Sequence, residues 1–242
     1  MIDCRLGRWQ DALADVGQVD AVIADPPYGE RTHAANNGGR KFDRDNPDTR
    51  KALPYTAWTP DDVREFVAHW SPRTTGWLAC MTSDDLIPVW RQAYSDAGRL
   101  DFAPVPILFH RARLSGDGPS SGAVYMMVAR PREKRFCGWG SLPGFYGPFH
   151  PFHNEPETHI GGKPKALMLE ILRDYTRTGM TVCDPCGGGF TTAVAAHQLG
   201  RSCITAECDP VTYAKAKARV DRQLAQPFLF DQGDVAVQER LL

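Results

Sequence analysis

The chain has 242 residues, 42% of them apolar, and a formal net charge of −1. That suffices for one full core, and no run is long and apolar enough to cross a membrane as a helix. The near-neutral balance excludes attraction to nucleic acid by the field of the whole protein, so any such contact must come from local basic patches.

Residues 1–4 read as a short strand and residues 9–14 as a short helix. The apolar run 19–24, Val-Asp-Ala-Val-Ile-Ala, has the length and β-branched content of a buried parallel strand. Asp25-Pro26-Pro27-Tyr28 follows it. Neither proline has an N–H to donate, so pairing stops there and a carboxylate and a phenol are held on a stiff turn. Open α/β sheets place their ligands at that end of a strand. Such a turn suits a planar, weakly nucleophilic amine. Asp25 can accept one amine hydrogen, the Pro26 carbonyl the other, and Tyr28 offers a flat face for a base.

Residues 30–60 are polar and irregular, with Arg31, Arg40, Lys41, Arg44, Arg50 and Lys51 directly after that turn. A loop of this length in a small domain is usually functional or disordered. We read it as a DNA-contacting segment, since phosphate contacts need only mobile cations near the groove. Thr59-Pro60-Asp61-Asp62 opens a helix with a cap, a first-turn proline and acids at its positive end. Val63, Phe66, Val67 and Trp70 form its buried stripe. Residues 76–81 form the next strand and 84–97 the next helix. Residues 102–109 and 123–129 are two further strands around a Gly/Ser-rich loop, an antiparallel hairpin. Residues 130–160 gather four cations with Trp139, Phe145, Tyr146, Phe149 and Phe152. Such a mixture either stacks on unpaired bases or fills a satellite core.

Lys163-Pro164 precedes an apolar helix at 166–172. The strand 180–183 then runs into Asp184-Pro185-Cys186-Gly187-Gly188-Gly189-Phe190-Thr191-Thr192 and a helix to 199. Strand, glycine turn and helix make the crossover that brings backbone N–H groups close to an anionic ligand. A phosphate loop would need a Gly-Lys-Ser/Thr ending, which is missing. The next strand ends in Glu207, placed to accept from ribose hydroxyls. Asp209-Pro210 begins the last helix, 211–224.

The seven cysteines, odd in number and without a secretion signal, read as reduced thiols in a cytoplasmic protein. Cys183-x-x-Cys186 with Cys203 and Cys208 has the composition of a zinc site, but a helix and a strand intervene where a knuckle should be. His150-x-x-His153 lacks a third ligand. No metal is expected.

Together, Asp-Pro-Pro-Tyr after an apolar strand and Asp184-Pro185-Cys186-Gly187-Gly188-Gly189-Phe190-Thr191-Thr192 before a helix resemble the catalytic and first cofactor motifs of the β-class DNA amino-methyltransferases. The catalytic motif precedes the cofactor motif, as in that class. The resemblance implies a Rossmann-like α/β fold with a circularly permuted mixed sheet, helices on both faces and one antiparallel hairpin. It implies a single domain over 1–242, with 130–160 a short target-recognition insertion. It implies S-adenosylmethionine as cofactor and double-stranded DNA as partner. Asp25, Pro26, Pro27 and Tyr28 would be catalytic. Asp3, Lys163, Pro164, Asp184, Pro185, Cys186, Gly187, Gly188, Gly189, Thr191, Thr192, Glu207 and Asp209 would bind the cofactor. Asp at the first catalytic position leans towards the 6-amino group of adenine, because cytosine-specific relatives more often carry Ser. The alternatives are the 4-amino group of cytosine, or a catalytically silent nucleic-acid-binding module. A homodimer is compatible with the sequence, and nothing in it specifies a restriction endonuclease partner or a restriction-modification setting.

Overall fold

The computed structural model describes residues 1–32, 55–109, 122–133, 137–149 and 162–225. Most of the 30–60 loop, His110, the pair His150 and His153, and the tail from 226 lie outside the described residues.

The strands are β1 (Ile2–Leu6), β2 (Ala21–Ala24), β3 (Leu78–Thr82), β4 (Arg99–Asp101), β5 (Val105–Phe109), β6 (Ala123–Pro131), β7 (Tyr146–Phe149), β8 (Thr181–Asp184) and β9 (Ser202–Glu207). The α-helices are α1 (Trp9–Ala12), α2 (Pro60–Trp70), α3 (Ile87–Asp96), α4 (Lys165–Tyr175), α5 (Thr191–Gln198) and α6 (Pro210–Leu224). The sheet runs β1-β9-β8-β2-β3-β6-β5-β7, with β4 also on β6. Its first five strands are mutually parallel, whereas β6 is antiparallel to β3, β4 and β5. The hairpin expected from 102–129 is the β5–β6 pair. The mixed sheet and two-sided helices agree with the expected architecture. Strands β4 and β7 were not expected; each is short and lies among loop-forming residues, so neither carries a period of its own.

The alternation of β2 and β3 divides the core in two. Val22, Ala24, Leu78 and Cys80 face α2 and α3, joining Val63, Phe66, Trp70, Trp90 and Tyr94. Ile23, Ala79 and Met81 face the other way, onto α4, α5 and α6 through Leu167, Ile171, Ala195 and Val220. Because both faces are covered, these strands are apolar at every position but the last of β3, where buried Thr82 accepts from Trp90 Nε1, which is why they read as continuous runs. Fully burying a side chain the size of Phe66 or Met81 contributes about 1.5–3 kcal/mol each. Thr59 caps α2 as expected, and the structure adds the reciprocal bond, with the Asp62 carboxylate accepting from the Thr59 N–H.

One boundary needs correcting. Strand β1 continues to Leu6, pairing Asp3 with Ile204 and Leu6 with Glu207. Asp3 is therefore not at the strand's carboxyl end but three residues back from it, roughly 10 Å.

Candidate active site

Strands β2 and β8 are parallel neighbours, with Val22 opposite Cys183. Their carboxyl ends carry Asp25 and Asp184. Two motifs 159 positions apart in the sequence thus leave the sheet side by side, and the negative charge of Asp25 acts on Asp184.

The Asp25–Tyr28 turn is pinned on three sides. The Tyr28 hydroxyl donates to Asp25 Oδ1 at 3.0 Å. The Gly29 N–H donates to Ser83 Oγ at 2.9 Å, tying the turn to the end of β3. The Trp58 N–H donates to the Tyr28 carbonyl at 3.0 Å, tying it to the approach to α2. Desolvation of the Tyr28 hydroxyl, then the charge and hydrogen bond of Asp25, push that phenol well above its ordinary range. It stays a donor at any physiological pH. Lys163, expected with the cofactor, instead places Nζ 2.5 Å from Asp25 Oδ2 and 5.1 Å from the Tyr28 ring centroid. Pro164 beside it forms the entrance to α4, accepting from the Met168 N–H at 3.3 Å. Tyr55 also belongs here: burial and then Asp25 push its phenol up to about 12. Sequence reading missed it, although an aromatic after Pro54, at the close of a polar stretch, was an available signal.

The glycine turn is built as a tight bend over β9. The Gly187 N–H donates to the Ala206 carbonyl at 2.8 Å, and the Phe190 N–H to the Gly187 carbonyl at 2.7 Å. Gly188 has φ +49°, and Phe190, at the start of α5, has φ 54°. The left-handed conformation is costly for a bulky residue and persists only where packing over-determines it. Here the Phe190 ring is fully buried and meets Tyr213 edge-on at 5.8 Å. Glu207 spans the bend: its Oε2 accepts from the Gly188 N–H at 3.1 Å and its Oε1 from the Asp209 N–H at 2.7 Å. Arg219 braces the far side, donating to the Gly189 carbonyl at 3.0 Å and to Thr191 Oγ1 at 3.1 Å. Thr191 and Thr192 are both buried.

Two expected cofactor residues have other partners. Asp3 pairs with Arg5 at 2.9 Å on β1, and the segment level with Glu207 is Leu6-Gly7, followed by an exposed Arg8. The Asp209 carboxylate caps α6 by accepting from the Thr212 N–H at 2.7 Å. The thiols are likewise spread out: Cys183 packs on one face of the sheet and Cys203 on the other, so these two cannot share an ion.

Asp184 is buried, accepting from the Cys186 N–H at 3.2 Å. Loss of hydration raises its carboxyl from 3.8 to about 7, opposed by hydrogen bonds from Thr192 and Cys186. A raised carboxyl favours the protonated fold. Its contribution is therefore greatest below pH 3.8 and is lost as pH rises towards about 7. Denaturant titrations at pH 5 and pH 8 should show the wild-type chain losing stability between them, and Asp184→Asn losing less. An unaltered gap in the variant would place the titration elsewhere.

Within the described part of 130–160, Tyr146 is buried and Trp139, Leu142 and Phe149 pack against the core, whereas Phe145 is exposed. Trp139 lies 6.0 Å from Trp77 and 3.8 Å under the Arg177 guanidinium, at the opposite end of β3 from Ser83. Of the two readings of that aromatic stretch, Trp139 takes the satellite core.

Residues 145–218 match the DNA methylase family. The matched stretch runs from β7 through α4, the glycine turn and β9 into α6. No curated protein matches. Solved structures share the architecture along most of the chain. The M1.HpyAVI–SAM complex aligns with TM-score 0.66 and 18% identity, covering 91% of this chain and 100% of its own. PvuII DNA methyltransferase, described as cytosine-N4-specific, aligns with TM-score 0.65 and 14% identity over 99% of this chain and 91% of its own. A putative DNA modification methylase of Thermus thermophilus, TTHA0409, complexed with S-adenosyl-L-methionine, gives 0.61 and 18% over 94% and 98%. At these identities the likeness establishes the fold, the mixed α/β sheet of the solved methyltransferases. No helix among the described residues is long and apolar enough to cross a membrane.

Proposed function

We propose that this chain is an adenine-specific DNA methyltransferase, transferring the methyl group of S-adenosylmethionine to the 6-amino group of a flipped-out base. One observation carries the reading. The Asp25–Tyr28 turn and the Gly187–Gly189 bend leave adjacent parallel strands at the same edge of the sheet. The methylase match over 145–218 supports the cofactor half of it.

The donor set fits that cofactor. Glu207 presents a carboxylate beside the glycine bend, where ribose hydroxyls are held in related crossovers. Backbone N–H groups at the start of α5 suit a carboxylate. Asp184, Pro185, Cys186, Thr191 and Thr192 frame the bend. When bound, the cofactor supplies an electrophilic methyl group on a positively charged sulfur.

The chain's own residues then do the following. Asp25 accepts one N–H of the target amine and the Pro26 carbonyl the other, which moves electron density onto nitrogen. Pro26 and Pro27 fix the backbone beforehand, so little ordering cost remains on binding. Tyr28 stacks on the base. Held between Asp25 and the Pro26 carbonyl, the nitrogen would attack that methyl group in line, the C–N bond forming as the C–S bond breaks with its electron pair left on sulfur, and the amine proton would pass to solvent. Extracting a paired base costs a few kcal/mol, recovered from contacts to the duplex. Segments 30–60 and 130–160 would supply those contacts. Arg31, the first cation of the former, pairs with Asp84 at 2.8 Å in an exposed bridge of small energetic weight.

The carboxylate at position 25 supports adenine. The likeness to the PvuII enzyme, described as cytosine-N4-specific, favours a second reading, methylation of the 4-amino group of cytosine. Nucleoside analysis of DNA from cells expressing the chain separates the two: N6-methyladenine is expected, and N4-methylcytosine alone would reverse the assignment. Methylation-sensitive sequencing of the same DNA maps the target. Duplex binding with no mark on either base would indicate a silent binding module.

A further inference from the structure

Both oxygens of Asp25 are already engaged. Tyr28 donates to Oδ1 and the Lys163 ammonium to Oδ2, and the same ammonium lies over the Tyr28 ring. An N–H donor directed into the Asp25 carboxylate above the face of Tyr28 is the arrangement required of a target amine. We propose that Lys163 is an internal placeholder: in the resting protein its ammonium holds the position of the amine, and a base enters by displacing it.

The setting allows such an exchange. Lys163 has only 11% of its side chain exposed and Asp25 24%, so the empty site would otherwise leave a carboxylate poorly hydrated. A paired ammonium stabilises it. The four-carbon stem precedes the first turn of α4 and can rotate its charge away without moving that helix. The exchange lowers the apparent affinity for DNA, because only the fraction of molecules with Lys163 withdrawn can accept a base. It also disfavours amines that cannot bring the stacking energy of a base.

This inference rests on the function proposed above, and its test keeps the two apart. Duplexes carrying the mapped target are used with labelled S-adenosylmethionine, and cofactor affinity is measured separately by calorimetry. For Lys163→Met, which keeps the stem and loses the charge, the KM for DNA should fall about five- to tenfold, with kcat/KM for DNA raised. Lys163→Arg should restore a KM at or above that of wild type. A duplex with 2-aminopurine at the target position should show more flipped-base fluorescence with Lys163→Met than with wild type. Amine acetylation read by mass spectrometry gives a measure independent of turnover: Lys163 should be shielded in the free wild-type protein and become reactive when target duplex is added. Weakened cofactor affinity with an unaltered KM for DNA would overturn the proposal in favour of a methionine-pocket role. A fall in kcat at unaltered KM would overturn it in favour of a role in the chemical step. Unaltered Lys163 reactivity on adding duplex would also overturn it while leaving the function standing. A wild-type chain that binds no S-adenosylmethionine overturns the function, and this proposal with it.

Discussion

Asp25→Ala should lose at least about a hundredfold in methyl transfer, the usual cost of removing a group aimed at charge that develops during reaction. Its affinity for S-adenosylmethionine should stay within about twofold of wild type, because the groups assigned to the cofactor lie on the ends of β8 and β9. Asp25→Asn should fall between the two, since an amide oxygen still accepts one N–H but carries no charge. Single-turnover transfer of labelled methyl groups, with calorimetry of cofactor binding, gives both numbers. The alanine variant also leaves the Lys163 ammonium without its 2.5 Å partner, so thermal melts must accompany the kinetics. Wild-type transfer rates in a folded Asp25→Ala protein would refute the assigned chemistry.

Gly187→Ala should be the most damaging small substitution in the cofactor half. A methyl group there would lie 2.2 Å from Thr205 Oγ1 and 2.6 Å from the Phe190 ring. Neither neighbour can retreat. Thr205 is fully buried in β9, and Phe190 is fully buried in a left-handed conformation. Overpacking of this kind costs about 1–3 kcal/mol, and any relief must bend the turn that holds Gly188 against Glu207. Cofactor affinity should drop more than about tenfold. Thr205→Ala in the same chain should recover part of the stability, because Oγ1 has no hydrogen-bond partner among the described residues. Gly29→Ala makes the control. Its methyl group would meet the Asp85 carboxylate at 2.2 Å, but that is the free end of an exposed side chain and can swing aside. Denaturant midpoints for the three variants should rank Gly29→Ala mildest and Gly187→Ala worst.

The parts of the site legible in the sequence are those where one residue type has one physical use. Two prolines after an apolar run can only end a strand, and three glycines before a helix can only be a close-approach turn. Those two turns, and Glu207 at the end of its strand, lie where the sequence places them. Side-chain destinations were harder. Lys163 sits next to a proline in a motif resembling a cofactor element, yet its stem reaches across to Asp25, a partner 138 positions away. Asp3 was misplaced because Arg5 and Leu6 do not look like strand residues; pairing with β9 makes them so. Asp209 has a local cap to satisfy, and a short acid before proline at a helix start is used there first. Trp139 was ambiguous because an aromatic among cations has the same composition whether it stacks on Arg177 or on a base.

The position of β2 has a consequence for biosynthesis. Its neighbour β3 follows within the same half of the chain, but its other neighbour, β8, is translated some 160 residues later. Until then the middle of the sheet presents an open, wholly apolar edge, and β1 waits still longer for β9. Pairings this distant close slowly and leave the nascent polypeptide exposed to self-association. Expression at lowered temperature, or with added holdase chaperones, should therefore raise the yield of folded protein more than any change to its surface charge.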